Sequence, residues 1–313
     1  MNLAELSLVL FGISILAGAL GSLLGLGGGF VIVPVLTLVF HLDIRLAIGT
    51  SIVAVAATSS AGAARNVKES ITNLRVATFL ALATTLGAVT GALVARVFDA
   101  RFLFSLFGMI LAISGVQMLR RRSGPGPRMP ERETDKRAPI SRAVAEGADM
   151  MPALQATGPS HLRAVERGHL VGLLALDSAY FDEAEGLEVP YVVAHMGLGL
   201  GLMYVAGIVS GLLGIGSGVL KVPAMDLAMN IPMKVSTATS NLLIGLTAAA
   251  SAVVYFARGD IDPLIAGPVA LGVLLGAWVG SKRLVGVRAA HLRVIFVTVL
   301  CLVAAQMLWK GLA

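Results

Sequence analysis

The chain has a single cysteine, Cys301. No internal disulfide can form, so the redox state of its compartment leaves no mark on the sequence. Charge is scarce too: 13% of the 313 residues are Asp, Glu, Lys or Arg, and many of those fall in one central stretch. A chain that is 57% hydrophobic, with a mean hydropathy of +0.87, is excluded from the soluble globular class. Histidines are few. His41, His195 and His291 lie near expected helix ends with no metal-ligand spacing, so neither a metal nor a cofactor is expected. No carboxylate sits deep in an apolar run where it would serve as a proton relay. The N-terminal stretch lacks a basic region and carries Glu5, so the first helix is expected to stay uncleaved.

What the chain does have is long apolar runs, and they occur twice. Gly25-Leu26-Gly27-Gly28-Gly29-Phe30-Val31-Ile32-Val33-Pro34 returns 189 residues later as Gly214-Ile215-Gly216-Ser217-Gly218-Val219-Leu220-Lys221-Val222-Pro223. Thr50-Ser51 returns as Thr239-Ser240, Gly87 and Gly91 as Gly276 and Gly280, and Gln117-Met118-Leu119 as Gln306-Met307-Leu308. About a quarter of the positions from 18 to 119 match with no gap. A duplicated apolar unit broken by glycine and proline at matching places marks a secondary transporter, with its site where the halves meet.

Apolar runs of about 18 residues or more read as membrane helices. The expected fold is an all-α polytopic membrane protein of two homologous halves. The expected pieces of the first half are Leu6–Leu24, Phe30–Phe40, Leu46–Ala64, Val76–Val97 and Phe102–Leu119. Those of the second are Val192–Leu213, Val219–Met229, Val235–Phe256, Leu264–Gly280 and Leu292–Leu308. The second piece has about a dozen residues and covers less than about 20 Å of a core about 30 Å thick. Pieces one and two therefore read as a re-entrant or broken-helix hairpin, followed by three transmembrane helices. Irregular backbone at that depth survives only when buried in protein or lining water.

Residues 1–119 form the first repeat, 120–188 a partly disordered linker, and 189–313 the second repeat. Arg120-Arg121-Arg122 opens the linker, which places it in the cytoplasm by the positive-inside rule. The Arg65/Lys68/Arg75 and Lys282/Arg283/Arg288/Arg293 loops then also lie inside, provided each half crosses an odd number of times. That puts the halves in inverted topology in the cell (inner) membrane. Within the linker, His169 to Tyr180 and Leu187 to Val193 read as two strands of a small β-hairpin around Asp182–Gly186. The net charge of +6 is loop anchoring and not a nucleic-acid surface. The partners expected are a small anion and the bilayer, with a homodimer left open.

The glycine turns fit neither a dinucleotide fingerprint nor a phosphate loop: Phe30 and Val219 stand where a third glycine belongs, and Gly-Lys-Ser/Thr is absent. Gly27, Gly28, Gly29, Gly216, Ser217 and Gly218 are candidate substrate-lining positions, where backbone amides at a half-helix start suit an anion. The competing reading is close helix packing. Lys221, opposite Ile32 in the repeat, is the sharpest candidate, because a cation in a bilayer segment is a functional hypothesis by default. It could instead snorkel, or pair with a carboxylate such as Asp226. Thr50, Ser51, Thr239, Ser240 and Asn241 could donate hydrogen bonds to an oxyanion, or bond back to their own helix. Ser59, Ser60 and Ser251 read as packing, and Asp43, Asp260 and Asp262 as solvated loop acids.

Gly-Leu-Gly-Gly-Gly-Phe-x-x-Val-Pro, Gly-Ile-Gly-Ser-Gly-x-x-Lys-Val-Pro and Thr-Ala-Thr-Ser-Asn together resemble the TauE/SafE family of membrane permeases, also called the sulfite exporter or toluene sulfonate uptake permease family. Tyr180–Val189 and Ala257–Pro263 are similar to a prokaryotic branch of it. The resemblance spans nearly the whole chain except Arg122–Gly158. It implies transport of small sulfur-containing anions such as sulfite, sulfonates or sulfoacetate, and it carries no catalytic set. The family's glycine motifs fall at Gly25–Gly29 and Gly214–Gly218, and Ser217 stands where glycine is frequent. Two other classes compete with this reading. An intramembrane hydrolase is disfavoured because Ile215 breaks a Gly-x-Ser-Gly pattern and no histidine is placed as base, so no enzyme is expected. An anion channel or non-transporting scaffold is the alternative.

Overall fold

The computed structural model describes residues 3–24, 29–68, 72–120, 178–182, 187–191, 193–283 and 289–312. The first half runs α1 (Leu3–Leu24), α2 (Gly29–Pro34), a π-helical segment (Val35–Val39), α3 (Ile44–Lys68), α4 (Leu74–Val94) and α5 (Ala100–Arg120). A hairpin follows, β1 (Ser178–Asp182) and β2 (Leu187–Tyr191), paired antiparallel with Tyr180 opposite Val189. The second half runs α6 (Met196–Leu213), α7 (Gly218–Pro223), a π-helical segment (Ala224–Ala228), α8 (Met233–Ala257), α9 (Pro263–Arg283) and α10 (Ala289–Leu312).

The halves repeat element by element. Gly29 and Gly218, Ile44 and Met233, and Leu74 and Pro263 each open the same helix at the same 189-residue spacing. Pro34 and Pro223 explain the π segments. Proline offers no N–H to the carbonyl one turn back, so the ladder widens there. Phe40 N–H reaches back to the Val35 carbonyl at 3.3 Å, and Leu42 N–H to Leu36 at 3.0 Å.

Among the described residues, four helical stretches are long and apolar enough to cross a membrane: Ile44–Ala64, Leu74–Val94, Met196–Leu213 and Met233–Ala257. Others, including Gly29–Val39, are apolar but shorter. Many large apolar side chains face outward, among them Leu82, Val97, Leu227 and Trp309, as a lipid-facing surface requires.

The halves pack into each other and not side by side. Helix α4 lies along α6: a Cβ added at Gly91 would sit 2.2 Å from the Ile208 carbonyl oxygen, and one at Gly87 would sit 2.2 Å from that of Tyr204. The repeat-related pair α1 and α9 does the same, with Gly276 against Ile15 and Gly272 against Phe11. Small residues let these backbones meet. The equivalent helices α3 and α8 run antiparallel, with Gly49 against Asp260, Gly62 against Asn241, and Gly245 against Ser59 and Ser60. The equivalents α5 and α10 are also antiparallel, Gly108 against Leu308 and Gly115 against Leu300.

The linker hairpin departs from expectation in extent. Its first strand begins at Ser178, and residues 169–177 lie outside the described residues, as does most of 120–188. Helix α6 begins at Met196 and not at Val192, because Tyr191 and Val193 are buried against Val76, Met229 and Val235, and His195 breaks the helical course with φ 46°. The Tyr191 hydroxyl accepts from Asn73 Nδ2 at 2.8 Å, and Asn73 Oδ1 caps α4 at Val76 N–H, 3.0 Å. Tyr191→Phe is expected to cost about 1 kcal/mol, the worth of one buried hydrogen bond. Thermal unfolding in detergent reads it, and a variant as stable as the parent would show the bond to be idle.

Candidate functional site

The second glycine turn is built from left-handed backbone. Gly214, Gly216 and Ser217 have φ of 68°, 73° and 46°. Glycine accepts that region freely. Serine does not, and such a residue costs on the order of 1–3 kcal/mol, held only where the surroundings enforce it. Ser217 is 1% exposed, and its Oγ has no hydrogen-bond partner.

The turn meets the first half directly. A Cβ on Gly29, at the start of α2, would lie 2.8 Å from the Gly214 carbonyl oxygen, 2.8 Å from Ser51 Oγ and 2.8 Å from a Val55 methyl. A Cβ on Gly216 would lie 3.1 Å from the other Val55 methyl and 2.8 Å from Ile244. Gly29 and Gly216 thus meet at Val55 of α3, in the interior. Gly27 and Gly28 lie outside the described residues; Gly218 is buried at the start of α7.

The hydroxyl clusters divide by fate. Ser51 Oγ donates to the Gly214 carbonyl at 2.9 Å and staples the two halves. Thr239 Oγ1 accepts from Asn73 N–H at 3.4 Å. Thr50 Oγ1 and Ser240 Oγ are buried with no partner. Asn241 faces Gly62, where a Cβ would stand 3.7 Å from Nδ2. Bonding back to the helix's own carbonyl is what Thr58 and Ser60 do, at 3.0 and 2.7 Å. Buried polar groups are nearly always paired. Among the described residues the buried hydroxyls of Thr50, Thr72, Ser217 and Ser240 lack a partner, exceptions that need a cause.

Lys221 is fully buried, at 0% exposure. Its Nζ donates to Thr247 Oγ1 at 2.9 Å. Thr247 in turn lies 2.8 Å from the Leu243 carbonyl and 3.0 Å from that of Ile244, so its own proton is held by the helix and its lone pair faces the amine. The pairing with Asp226 weighed from sequence is not what forms. Ser217 immediately precedes α7, where its carbonyl accepts the Lys221 N–H at 3.0 Å, and Ser240 lies about two turns before Thr247 on α8. In the first half the position of Lys221 is taken by Ile32, which lines a small apolar cavity of about 10 Å³ with Leu10, Leu36 and Val269. One half carries charge; the other is greasy at the same place.

Comparison with known proteins decides the family. Residues 10–307 match the family described as sulfite exporter TauE/SafE. The chain belongs to the TauE/SafE family. A Bacillus subtilis protein named probable membrane transporter protein YunE is 26% identical over 317 residues, covering 97% of this chain and 98% of that one. Probable membrane transporter protein YdhB of the same organism is 24% identical, covering 88% and 87%. A probable membrane transporter protein of Xylella fastidiosa (strain 9a5c) is 26% identical, covering 94% and 92%. No solved structure matches the chain. This is a multi-pass membrane protein whose relatives carry the names of transporters and not of enzymes.

Within this TauE/SafE chain, several residues near the site were not singled out from sequence. Thr247 looks like any hydroxyl in an apolar helix until Lys221 is seen beside it. Tyr255, buried, donates to the Gly211 carbonyl at 2.9 Å, and Arg258 stacks over its ring at 5.2 Å while bonding the Ala92 carbonyl. Asp260, expected as a solvated acid, pairs with Arg258 at 3.1 Å. Asp43 and Asp262 accept from the amides of Arg45 and Leu264, at 2.8 and 2.9 Å, and cap helices. No cluster of metal-ligating residues occurs among the described residues.

Proposed function

We propose that the chain is a secondary transporter that moves small sulfur-containing anions, of the sulfite, sulfonate and sulfoacetate kind, across the inner membrane. The observation that carries this reading is Lys221. A fully buried amine one turn after the unpartnered Ser217 hydroxyl suits a negative, oxygen-rich group, which would hold it as an ammonium. A sulfonate or sulfite offers three oxygens, and the Lys221 amine with the unpartnered hydroxyls of Ser217, Ser240 and Thr50 are the donors assigned to it. Gly29 and Gly216 let the backbones approach, while Ser51 and Thr239 hold the frame. Antiparallel packing of α3 on α8 and of α5 on α10 supports inverted repeats, and the basic linker supports a cytoplasmic middle. Val55 and Ile244 fill the meeting point, which suits a carrier that opens in turn and not a standing pore.

Purified protein in liposomes tests this with labelled sulfite, sulfoacetate and short alkyl sulfonates. Saturable uptake above protein-free vesicles is expected for at least one of them. Flux that rises linearly with concentration would mean a channel, and no flux for any member of the panel would overturn the reading.

A further inference from the structure

Among the described residues Lys221 is the one Asp, Glu, His, Lys or Arg side chain in the buried interior. Its neighbour is a hydroxyl, and no carboxylate touches it. The other titratable groups on the elements packed against α7 are Asp226 on the π segment, Lys234 and Tyr255 on α8, and Tyr204 on α6. Lys234 is exposed, and Asp226 is half-buried. The hydroxyls of Tyr255 and Tyr204 are engaged with Gly211 and Thr90. A bare ammonium at that depth is costly without a counter-ion, and the described residues offer none.

We propose that the transported anion is that counter-ion, and that anion and proton cross together. This rests on the transport reading above and adds what drives it. On the side where the site opens, the Lys221 amine takes a proton from water as a monoanion enters beside it. On the other side the anion leaves, the ammonium loses its partner, and the proton follows into water. One N–H bond forms and the same bond breaks. The loaded site, ammonium plus monoanion, and the empty site, amine alone, carry equal net charge. Transport is then electroneutral, and a pH gradient drives it where a membrane potential does not. The same linkage works for import and export, since the proton follows the anion.

The test uses the full-length protein in liposomes with a permanently ionised monoanion, labelled methanesulfonate, under two separate gradients. A pH step, acid outside, is expected to drive accumulation of about tenfold per pH unit, the limit for one proton per anion. A valinomycin-clamped potassium potential of either sign is expected to change the rate little. Lys221→Arg keeps a charge that does not leave. It is expected to lose acid-driven accumulation more completely than anion-for-anion exchange, which the retained charge still supports in part. Flux that follows the potential, or needs sodium, overturns the proton coupling and leaves anion transport standing. If neither methanesulfonate nor any anion of the earlier panel crosses, the functional reading fails and the coupling falls with it. If Lys221→Arg accumulates anion with the pH gradient as the parent does, Lys221 is not the proton carrier.

Discussion

Replacing Gly211 with valine is expected to cost at least about 3 kcal/mol and to deplete the folded protein from the membrane, at the top of the range for overpacked interiors. A Cβ at that position would lie 2.0 Å from the Ala88 carbonyl oxygen, 2.8 Å from Ala92 N and 2.9 Å from the Ala88 carbonyl carbon. All three are backbone atoms of α4, so no side chain can swing away. The helices must part, and more than one contact parts with them. The Gly211 carbonyl accepts from the Tyr255 hydroxyl, and the Ala92 carbonyl from Arg258. Separation at this one point therefore loosens α4, α6 and α8 together. Gly201 on the same helix is the control: nothing lies within 4 Å of where its Cβ would be. Gly201→Ala is expected to change stability by no more than about 0.5 kcal/mol. Size-exclusion profiles and thermal unfolding in detergent separate the two. A Gly211→Val protein that is monodisperse and unfolds with the parent would show that the α4–α6 approach is looser than described.

Why the sequence foretold some of this and not the rest follows from range. The duplication is a pattern in register, and register survives translation into structure. Pro34 and Pro223 break their helices alike because proline acts on its own turn. The short second piece was legible from length against bilayer thickness. Partners across the fold were not legible, because no period links them. Thr50 and Ser51 read as one cluster, yet neighbours on a helix point different ways: Ser51 reaches Gly214 while Thr50 finds no partner. Asp226 was the candidate partner for Lys221 because it is near in chain. Thr247 wins because α7 lies along α8, and only packing decides that. The loop acids read as solvated on exposure of loops in general, but Arg258 two residues before Asp260 folds back onto it.

Lys221→Met is expected to lower transport about 100-fold, equivalent to about 2.7 kcal/mol, while leaving the protein as stable as before or more so. The two effects move apart for a physical reason. In the empty protein Lys221 is a fully buried polar group with one hydroxyl for company. An apolar side chain of similar length fills the same volume with nothing to solvate, as replacement of buried ionic groups by hydrophobic isosteres has shown in other folds. Thr247 is not stranded by the change, because its hydroxyl still has the carbonyls of Leu243 and Ile244. With anion bound the balance reverses. The negative group then sits in the interior without its cation, and a charge-assisted hydrogen bond is gone. A purely structural lysine gives the opposite pattern: the variant would unfold early, and flux would fall only with the amount of folded protein. Measuring initial rate per folded molecule alongside the unfolding temperature distinguishes these outcomes, and either an unchanged rate or a joint collapse would remove Lys221 from the site.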